Sequence, residues 1–228
     1  KQASGPMTTW RPKFITFDCY GTLIDFQMGP AARRVYGARL PRPVMDGFLE
    51  SFRGYRLDEV LGAWKPFDVV IANAVERSCK AWNVAFDPAD AAAIYAEIPS
   101  WTPHPDVPAG LAAIGAKIPL VGLSKSMTEQ IPHSMDKLGA PFHAAHTAQE
   151  AQAYKPLQRA FEYMFDSLGC APADVVHCSS SLRYDLMTAY YMKIARRGYV
   201  NRGHEPGIDF YGYTEISSIA QLPALVGL

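Results

Sequence analysis

Asp18 is the candidate functional residue with the most informative surroundings. It directly follows the run Lys13–Phe17, whose apolar, β-branched and aromatic residues predict a buried strand. Gly21 comes three residues later and allows the chain to turn sharply there. Since open α/β sheets bind their ligands beyond the carboxyl ends of the strands, we expect the Asp18 carboxylate to face a ligand site.

Three further polar residues lie at comparable positions. Ser124 ends the apolar run 119–123, Lys155 lies in a Lys-Pro step before a predicted helix, and Asp185 follows a strand and a serine cluster. A cation next to Asp18 would favour the ionised carboxylate, which is the form that a nucleophile requires. Each residue alone also has a simpler explanation, as a helix cap, a solvated lysine or an acid favoured at a helix N-terminus.

The order Asp18, Ser124, Lys155, Asp185 resembles motifs I to IV of the haloacid dehalogenase (HAD) superfamily, and it spans nearly the whole chain. In that superfamily the first Asp is a covalent nucleophile. The phosphatases carry a second Asp two residues later, as a general acid and as part of a magnesium site. Here that residue is Tyr20, which disfavours phosphoryl transfer. The resemblance is therefore to the L-2-haloacid dehalogenases (type II).

This resemblance implies a two-step hydrolysis. The nucleophilic Asp attacks the carbon that bears the leaving group, and water then cleaves the resulting ester at the Asp carbonyl. The product is a 2-hydroxy acid of inverted configuration. The resemblance implies a small-molecule carboxylate and water as reactants, with neither a metal nor a cofactor. The implied catalytic group is Asp18, Lys155, Asp185, Ser124, Thr22 and Ser180.

The substrate-binding residues implied by the resemblance come partly from the middle of the chain. In dehalogenases an arginine of the helical cap receives the halide; Arg53 is placed where that arginine is expected, and Arg56 is the second choice. For either arginine, a solvated helix face is the simpler explanation. The implied substrate-binding group is Tyr20, Arg53, Lys125, Tyr184 and Arg56.

The sequence departs from the dehalogenase pattern where the substrate would be held. Motif II usually reads Ser-Asn, and that Asn helps to bind the halide; here it is Lys125. An Asn three residues before the motif IV Asp is replaced by Leu182, and the Trp often found beside that Asp is Tyr184. A Tyr six residues after the motif III lysine is replaced by Phe161. The nucleophile and its partners are retained, whereas the substrate-holding groups are changed.

Four functions follow from this pattern, in decreasing order of support. The first is an (S)-2-haloacid dehalogenase that releases a 2-hydroxy acid and halide. The second uses the same mechanism to open a strained ring carboxylate such as an azetidine-2-carboxylate, where the leaving amine stays tethered and needs no halide site. The third is a HAD phosphatase, against which Tyr20 weighs heavily. The fourth is a non-enzymatic binding module, which would leave the four-part set unexplained.

The arrangement of apolar runs predicts an α/β fold. Strands are expected at Phe14–Phe17, 118–123, Val175–Cys178 and 198–200, with helices at 127–138, 157–168, 186–192 and 217–225 between or after them. This alternation indicates a Rossmann-like, mostly parallel sheet with helices on both faces.

Residues 25–102 instead predict helices at 47–61, 67–82 and 88–98, the last capped by Asp87. This pattern predicts a helical cap domain inserted after the first strand. The proline-rich stretch 103–108 would be its return hinge, so that 7–24 and 103–228 form the core domain and 1–6 a remnant of cloning.

Composition limits the partners and the location of the protein. Lys plus Arg and Asp plus Glu both number 22, so the formal net charge is zero, which disfavours nucleic acid and anionic membranes as partners. The four cysteines form no C-x-x-C pair and are expected to be reduced thiols in a cytoplasmic protein. His143 and His146 have no partner at ligand spacing, so no zinc site is expected. Trp64 and Phe67 are candidates either for a homodimer face or for the core.

Overall fold

A computed structural model describes residues 10–228, and its centre is a six-stranded parallel sheet. The strand order is β3–β2–β1–β4–β5–β6, which places β1 between β2 and β4. The chain winds outward in opposite directions from β1, and such a reversal of strand order opens a crevice at the carboxyl edge of the sheet. The predicted parallel α/β architecture is confirmed. The strands are β1 Phe14–Phe17, β2 Leu120–Ser124, β3 Ala144–Thr147, β4 Val175–Ser179, β5 Arg196–Val200 and β6 Thr214–Ile216.

Ten α-helices accompany the sheet in residues 10–228. They are α1 Met28–Tyr36, α2 Arg42–Leu61, α3 Phe67–Ala81, α4 Pro88–Ala96, α5 Val107–Gly115, α6 Ile131–Met135, α7 Ala148–Ala151, α8 Gln158–Leu168, α9 Met187–Tyr191 and α10 Leu222–Leu225. Alternate residues of β2 pack into two different cores: Leu120 joins a cluster with Leu111 of α5, whereas Val121 joins one with Phe161 of α8. Both faces of the sheet are therefore covered by helices, as the near-continuous apolar character of the strands predicts.

The two strands that the sequence analysis missed are both at the edges of the sheet. β3 consists of Ala-Ala-His-Thr and β6 of Thr-Glu-Ile, so that neither contains an apolar run. Edge strands are exposed along one side, which removes the demand for continuous apolar sequence that identifies a central strand.

Several predicted helices need correction. The helix expected over 127–138 is reduced to α6, and the closing helix expected over 217–225 is a 3₁₀ turn followed by the four residues of α10. Pro132 and Pro223 lie in the first turns of these helices and prevent them from beginning earlier. The stretch 103–108 is not entirely a hinge, because α5 begins at Val107. The cap at Asp87 is confirmed, since its side chain accepts from the Ala89 amide at 2.9 Å.

A helical segment, α1 to α4, is inserted between β1 and α5. The chain enters and leaves it side by side: Ile24 and Pro103 form an antiparallel bridge, and the Asp25 amide donates to the Thr102 carbonyl at 2.8 Å. This pairing lies close to the predicted boundaries of the cap domain at 25–102. These domain boundaries stay a prediction. The pairing places the helical segment above the carboxyl edge of β1.

The aromatic residues considered for a dimer face pack within the chain. Phe67 is buried, and Trp64 stacks on Tyr154 with ring centroids 4.8 Å apart. The homodimer stays a prediction. Phe67 is buried and therefore offers no exposed surface to a dimer face. In the part of the chain that the structure describes, none of the helices combines the length and apolar character needed to cross a membrane. The predicted remnant, residues 1–6, lies outside the described residues.

Candidate active site

The carboxyl ends of the three central strands bring the predicted motifs together. Phe17 at the end of β1 is in register with Gly122 of β2 and Cys178 of β4, so Asp18 lies next to the residues that follow both neighbours. Gly21 has a φ of +95°, and a Cβ there would approach the Ser180 hydroxyl to 3.2 Å. The turn after Asp18 therefore requires glycine for its backbone conformation as well as for space.

Asp18 is held at both carboxylate oxygens. Lys155 Nζ donates to Oδ1 and Thr22 Oγ1 donates to Oδ2, each at 2.8 Å, and Ser179 Oγ lies 3.4 Å from Oδ2. Only 6% of Asp18 is exposed. Hydrogen bonds from charged and neutral donors fix the orientation of this carboxylate.

Lys155 connects the two acidic residues of the site. Its ammonium donates to Asp18 Oδ1 at 2.8 Å, to Asp185 Oδ2 at 3.0 Å and to the Leu123 carbonyl at 2.8 Å, which uses all three of its donors. Burial acts to lower the pKa of Lys155, but the two carboxylates outweigh it and raise that pKa. The predicted pairing of Lys155 with both acids is present in the structure.

Asp185 has a second partner, His177, which the sequence analysis did not select. His177 Nε2 lies 2.7 Å from Asp185 Oδ2, and its Nδ1 lies 2.7 Å from the Thr16 hydroxyl. Burial acts to raise the pKa of Asp185, but Lys155 and the His177 hydrogen bond shift it downward overall. The other oxygen, Asp185 Oδ1, is buried and has no hydrogen-bond partner among the described residues. The sequence signal for His177 was a polar residue within a largely apolar predicted strand, as Thr16 is in β1. The two residues are in register on neighbouring strands.

The predicted hydroxyl residues fall into two groups. Thr22 Oγ1 accepts from the Ser180 amide at 2.8 Å while it donates to Asp18, so Thr22 and Ser180 belong to the structure around the nucleophile. Ser124 does not contact Asp18 through a hydrogen bond; its hydroxyl accepts from the Ser126 amide at 3.0 Å. Ser124 therefore shapes the turn after β2, and its predicted role in holding a substrate carboxylate stays a prediction.

Two neighbouring cavities with shared walls lie at this end of the sheet. A small chamber of about 30 Å³ touches Asp18 and Lys155, and a larger cavity of about 420 Å³ extends outward beneath the helical segment. The smaller one is about the size of a single water molecule. Their shared walls are Tyr20, Lys125, Ser181 and Tyr184.

Lys125 and Arg56 are two of the cations that line the larger cavity. Lys125, after β2, lies over the Phe26 ring at 4.4 Å and the Tyr184 ring at 4.9 Å. Burial lowers its pKa to about 8. Arg56 of α2 is buried against the Phe52 ring at 4.3 Å, and burial lowers its pKa to about 10. Because charge is expensive to bury without a counter-ion, the part of the cavity beside Lys125 and Arg56 favours an anionic group.

Arg53 and Tyr20, two further predicted substrate-binding residues, have hydrogen-bond partners within the chain. Arg53 lines the larger cavity and donates to the His204 carbonyl at 2.6 Å. The Tyr20 hydroxyl is hydrogen-bonded to the Ser126 and Ser134 hydroxyls, at 3.2 and 3.3 Å. Burial raises the pKa of Tyr20. Both predicted arginines therefore line the cavity, and neither is hydrogen-bonded to Asp18.

The departures from the dehalogenase pattern have structural counterparts. Leu182 does not line either cavity; it is fully buried in a cluster with Leu186 and Tyr199. The Phe161 ring packs against the His177 ring with centroids 5.2 Å apart. Leu182 and Phe161 therefore supply no polar group to the cavities, whereas the other two departures, Lys125 and Tyr184, line both.

The donor set does not fit a magnesium ion. The Lys155 ammonium lies between the Asp18 and Asp185 carboxylates, and position 20 supplies a phenol bonded to serines where a carboxylate would be needed. Within residues 10–228, no cluster of three or more His, Cys, Asp or Glu side chains is arranged to hold a metal ion. The thiol closest to the nucleophile in sequence, Cys19, is buried, which raises its pKa to about 12 and leaves it unreactive.

Comparison with known structures gives the fold. The chain is similar to the L-2-haloacid dehalogenase RSc1362, with a TM-score of 0.80 at 18% identity over 96% of this chain and 100% of that one. The chain has the fold of the L-2-haloacid dehalogenases. It is also similar to the Xanthobacter autotrophicus L-2-haloacid dehalogenase with chloropropionic acid covalently bound, with a TM-score of 0.74 at 20% identity over 95% and 98% of the two chains.

The haloacid dehalogenase fold is not restricted to dehalogenases. The putative HAD-hydrolase YfnB from Bacillus subtilis, bound to magnesium, gives a TM-score of 0.80 at 14% identity over 96% of this chain and 100% of that one. Comparisons of the sequence with protein-family models and with curated proteins give no match. The choice of chemistry therefore depends on the residues of the site.

Proposed function

We propose that this protein is a hydrolase of small 2-substituted carboxylates that forms an ester intermediate on Asp18, with 2-haloacids as the leading substrates. The observation that carries the proposal is the buried Asp18–Lys155–Asp185 cluster, in which one lysine binds both carboxylates at 2.8 and 3.0 Å. The similarity to dehalogenase structures supports the same chemistry through the fold.

In the first step, an Asp18 oxygen attacks carbon 2 of the substrate while the carbon–halogen bond breaks. The electron pair of that bond leaves with the halide, and the configuration at carbon 2 inverts. Lys155 and Thr22 hold the attacking carboxylate, and no proton is transferred. The cations Lys125 and Arg56 at the cavity are placed to attract the substrate carboxylate or the departing halide.

In the second step, water attacks the ester carbonyl carbon of Asp18. Asp185 Oδ1, which has no other partner among the described residues, takes the water proton. The Lys155 ammonium stabilises the negative charge that develops on the carbonyl oxygen. Collapse of the intermediate restores the Asp18 carboxylate and releases the 2-hydroxy acid, whose alkoxide takes up the proton.

A same-mechanism substrate with a tethered amine has its own support. Glu50 and Glu205 line the larger cavity, and the Glu205 side chain is only 7% exposed. A cationic amine released from an azetidine-2-carboxylate ring would find acidic partners there. Ring opening is therefore the second candidate.

The test is intact-protein mass together with chloride release, for the wild type and Asp18→Asn, after incubation with L-2-chloropropionate. We expect catalytic chloride release in the wild type and neither chloride nor adduct in the variant. If a folded wild type releases no chloride from any 2-haloacid, the leading substrate is wrong, and ring opening of L-azetidine-2-carboxylate, followed by NMR, becomes the decisive assay. Magnesium-dependent phosphatase activity would contradict the proposal, and ligand binding without turnover would favour a binding module.

A further inference from the structure

We propose that His177 is a positioning residue for the second step, in which water cleaves the Asp18 ester. This inference rests on the proposed function and adds a residue that acts through Asp185 without touching the substrate. His177 lies on β4 and is fully buried, so neither solvent nor substrate explains its presence. A buried histidine needs partners for both ring nitrogens, and here each has one at 2.7 Å.

The partners determine which way the hydrogen bonds run. An ionised carboxylate only accepts, so His177 Nε2 carries the hydrogen that it donates to Asp185 Oδ2. With Nε2 as the donor, the neutral ring presents Nδ1 as an acceptor to the Thr16 hydroxyl, whose other contact is the Val176 carbonyl at 3.4 Å. Thr16 and His177 are in register on the neighbouring strands β1 and β4, so two sheet positions fix the plane of the ring.

This arrangement separates the two oxygens of Asp185. Oδ2 accepts from both His177 and Lys155, at 2.7 and 3.0 Å, and is thereby saturated with donors. Oδ1 is left as the oxygen with no partner in the described part of the chain. An acceptor that is ionised, fixed and without a donor is what the proton of an attacking water requires.

The proposal distinguishes the two steps of the reaction. Attack of Asp18 on carbon 2 transfers no proton, so it needs Asp185 only to hold Lys155. Ester cleavage transfers a proton from water, so it needs Oδ1 in a fixed position. Without the His177 donor, the Asp185 carboxylate can rotate toward Lys155 with both oxygens. Loss of His177 should therefore slow ester cleavage much more than ester formation.

The test is rapid-quench kinetics of the whole protein with L-2-chloropropionate. Chloride and the intact mass of the protein are followed in the wild type, His177→Leu and His177→Gln. For His177→Leu we expect a chloride burst of about one per chain with a rate near that of the wild type, a steady-state rate lower by about 100-fold, and accumulation of the Asp18 adduct. His177→Gln keeps an N–H donor and should recover part of the steady-state rate.

A second pair of variants keeps the test decisive if the leucine variant does not fold. Thr16→Val removes the hydroxyl that orients the ring and should lower the steady-state rate by about 3- to 10-fold without changing the burst, while Thr16→Ser should match the wild type. Equal loss of burst and steady-state rate, or no loss in either, would overturn the role of His177. Absence of both chloride and adduct in the wild type would overturn the proposed function itself and this inference with it.

Discussion

The two sides of the site are built on different principles. On the sheet side, the ammonium of Lys155 is paired with Asp18 and Asp185, and every donor has an acceptor. On the cavity side, Lys125 and Arg56 lie against aromatic rings, and burial lowers the pKa of both. In the first arrangement the ammonium is fully paired without a ligand, whereas in the second the cations gain a counter-ion when an anion binds. The proposed catalytic groups are thus preorganised by the strands, whereas the proposed substrate-binding cations lack a counter-ion until a ligand supplies one.

The largest effect is expected on the sheet side, from Lys155→Met. Removal of the ammonium leaves two buried carboxylates without their cation, which should lower the free energy of unfolding by about 3–5 kcal/mol and abolish turnover. Chemical denaturation and chloride release measure these losses. Lys80→Met, at an exposed helix position, serves as the control and should change stability by less than about 0.5 kcal/mol. A stable, active Lys155→Met protein would show that the cluster does not hold the site together.

A smaller effect is expected from Thr22→Val, which keeps the shape of the side chain but removes its hydroxyl. The change removes a donor to Asp18 Oδ2 and leaves the buried Ser180 amide without its acceptor. We expect a loss of about 1–3 kcal/mol of stability, and an increase of similar size in the activation free energy of the first step. Thr22→Ser should restore both in rapid-quench and denaturation experiments. Equal behaviour of the two variants would mean that the methyl group, and not the hydrogen bond, is important.

On the cavity side, the effect should depend on pH. Burial lowers the pKa of Lys125 to about 8, so its cationic form is present below that pH and is lost as the pH rises through it. If Lys125 attracts the substrate, kcat/KM of the wild type falls above about pH 8, because kcat/KM reports the free enzyme. Lys125→Met should be less active at pH 7 and lack this decline. A decline that is unchanged in Lys125→Met would assign it to another group.

The smallest effect is expected from Arg53, the less buried of the two predicted arginines. Arg53 spends a donor on the His204 carbonyl and lies at the larger cavity, so Arg53→Ala should raise KM by about 10-fold or less with little change in kcat. Arg56→Ala also loses packing on Phe52 and should in addition lower the melting temperature. A larger effect on kcat for Arg53 than for Arg56 would reverse this order and indicate that Arg53 moves onto the substrate.

The sequence predicted the sheet side better than the cavity side, for physical reasons. Strand ends occur at fixed distances from apolar runs, so Asp18 and the serine cluster after β4 could be placed together before the structure was known. His177 was not predicted because a polar residue inside a strand has no periodic signal. Its hydrogen bond to Thr16 depends on the register of two strands, which the sequence does not show. The role of Ser124 stays a prediction, because a strand-end hydroxyl can also cap the turn that follows, as it does here for the Ser126 amide.

On the cavity side, helix packing distinguishes Arg53 from Arg56, which their spacing in the sequence could not do. Arg53 and Arg56 are three residues apart on α2 and therefore share one helix face, so spacing alone could not separate them. Their difference comes from Phe26 and Phe52, which stack on Arg56 only. Short elements such as α6 and β3 were likewise fixed by their neighbours and not by local periodicity.

The most direct test of the central claim is the origin of the oxygen in the product. A single turnover of L-2-chloropropionate by excess enzyme in ¹⁸O-labelled water distinguishes attack by Asp18 from direct attack by water. An Asp18 ester that is cleaved at its carbonyl carbon predicts unlabelled lactate after the first turnover and one ¹⁸O in the peptide that contains Asp18. Labelled lactate with an unlabelled peptide would contradict the account and show that water attacks the substrate directly.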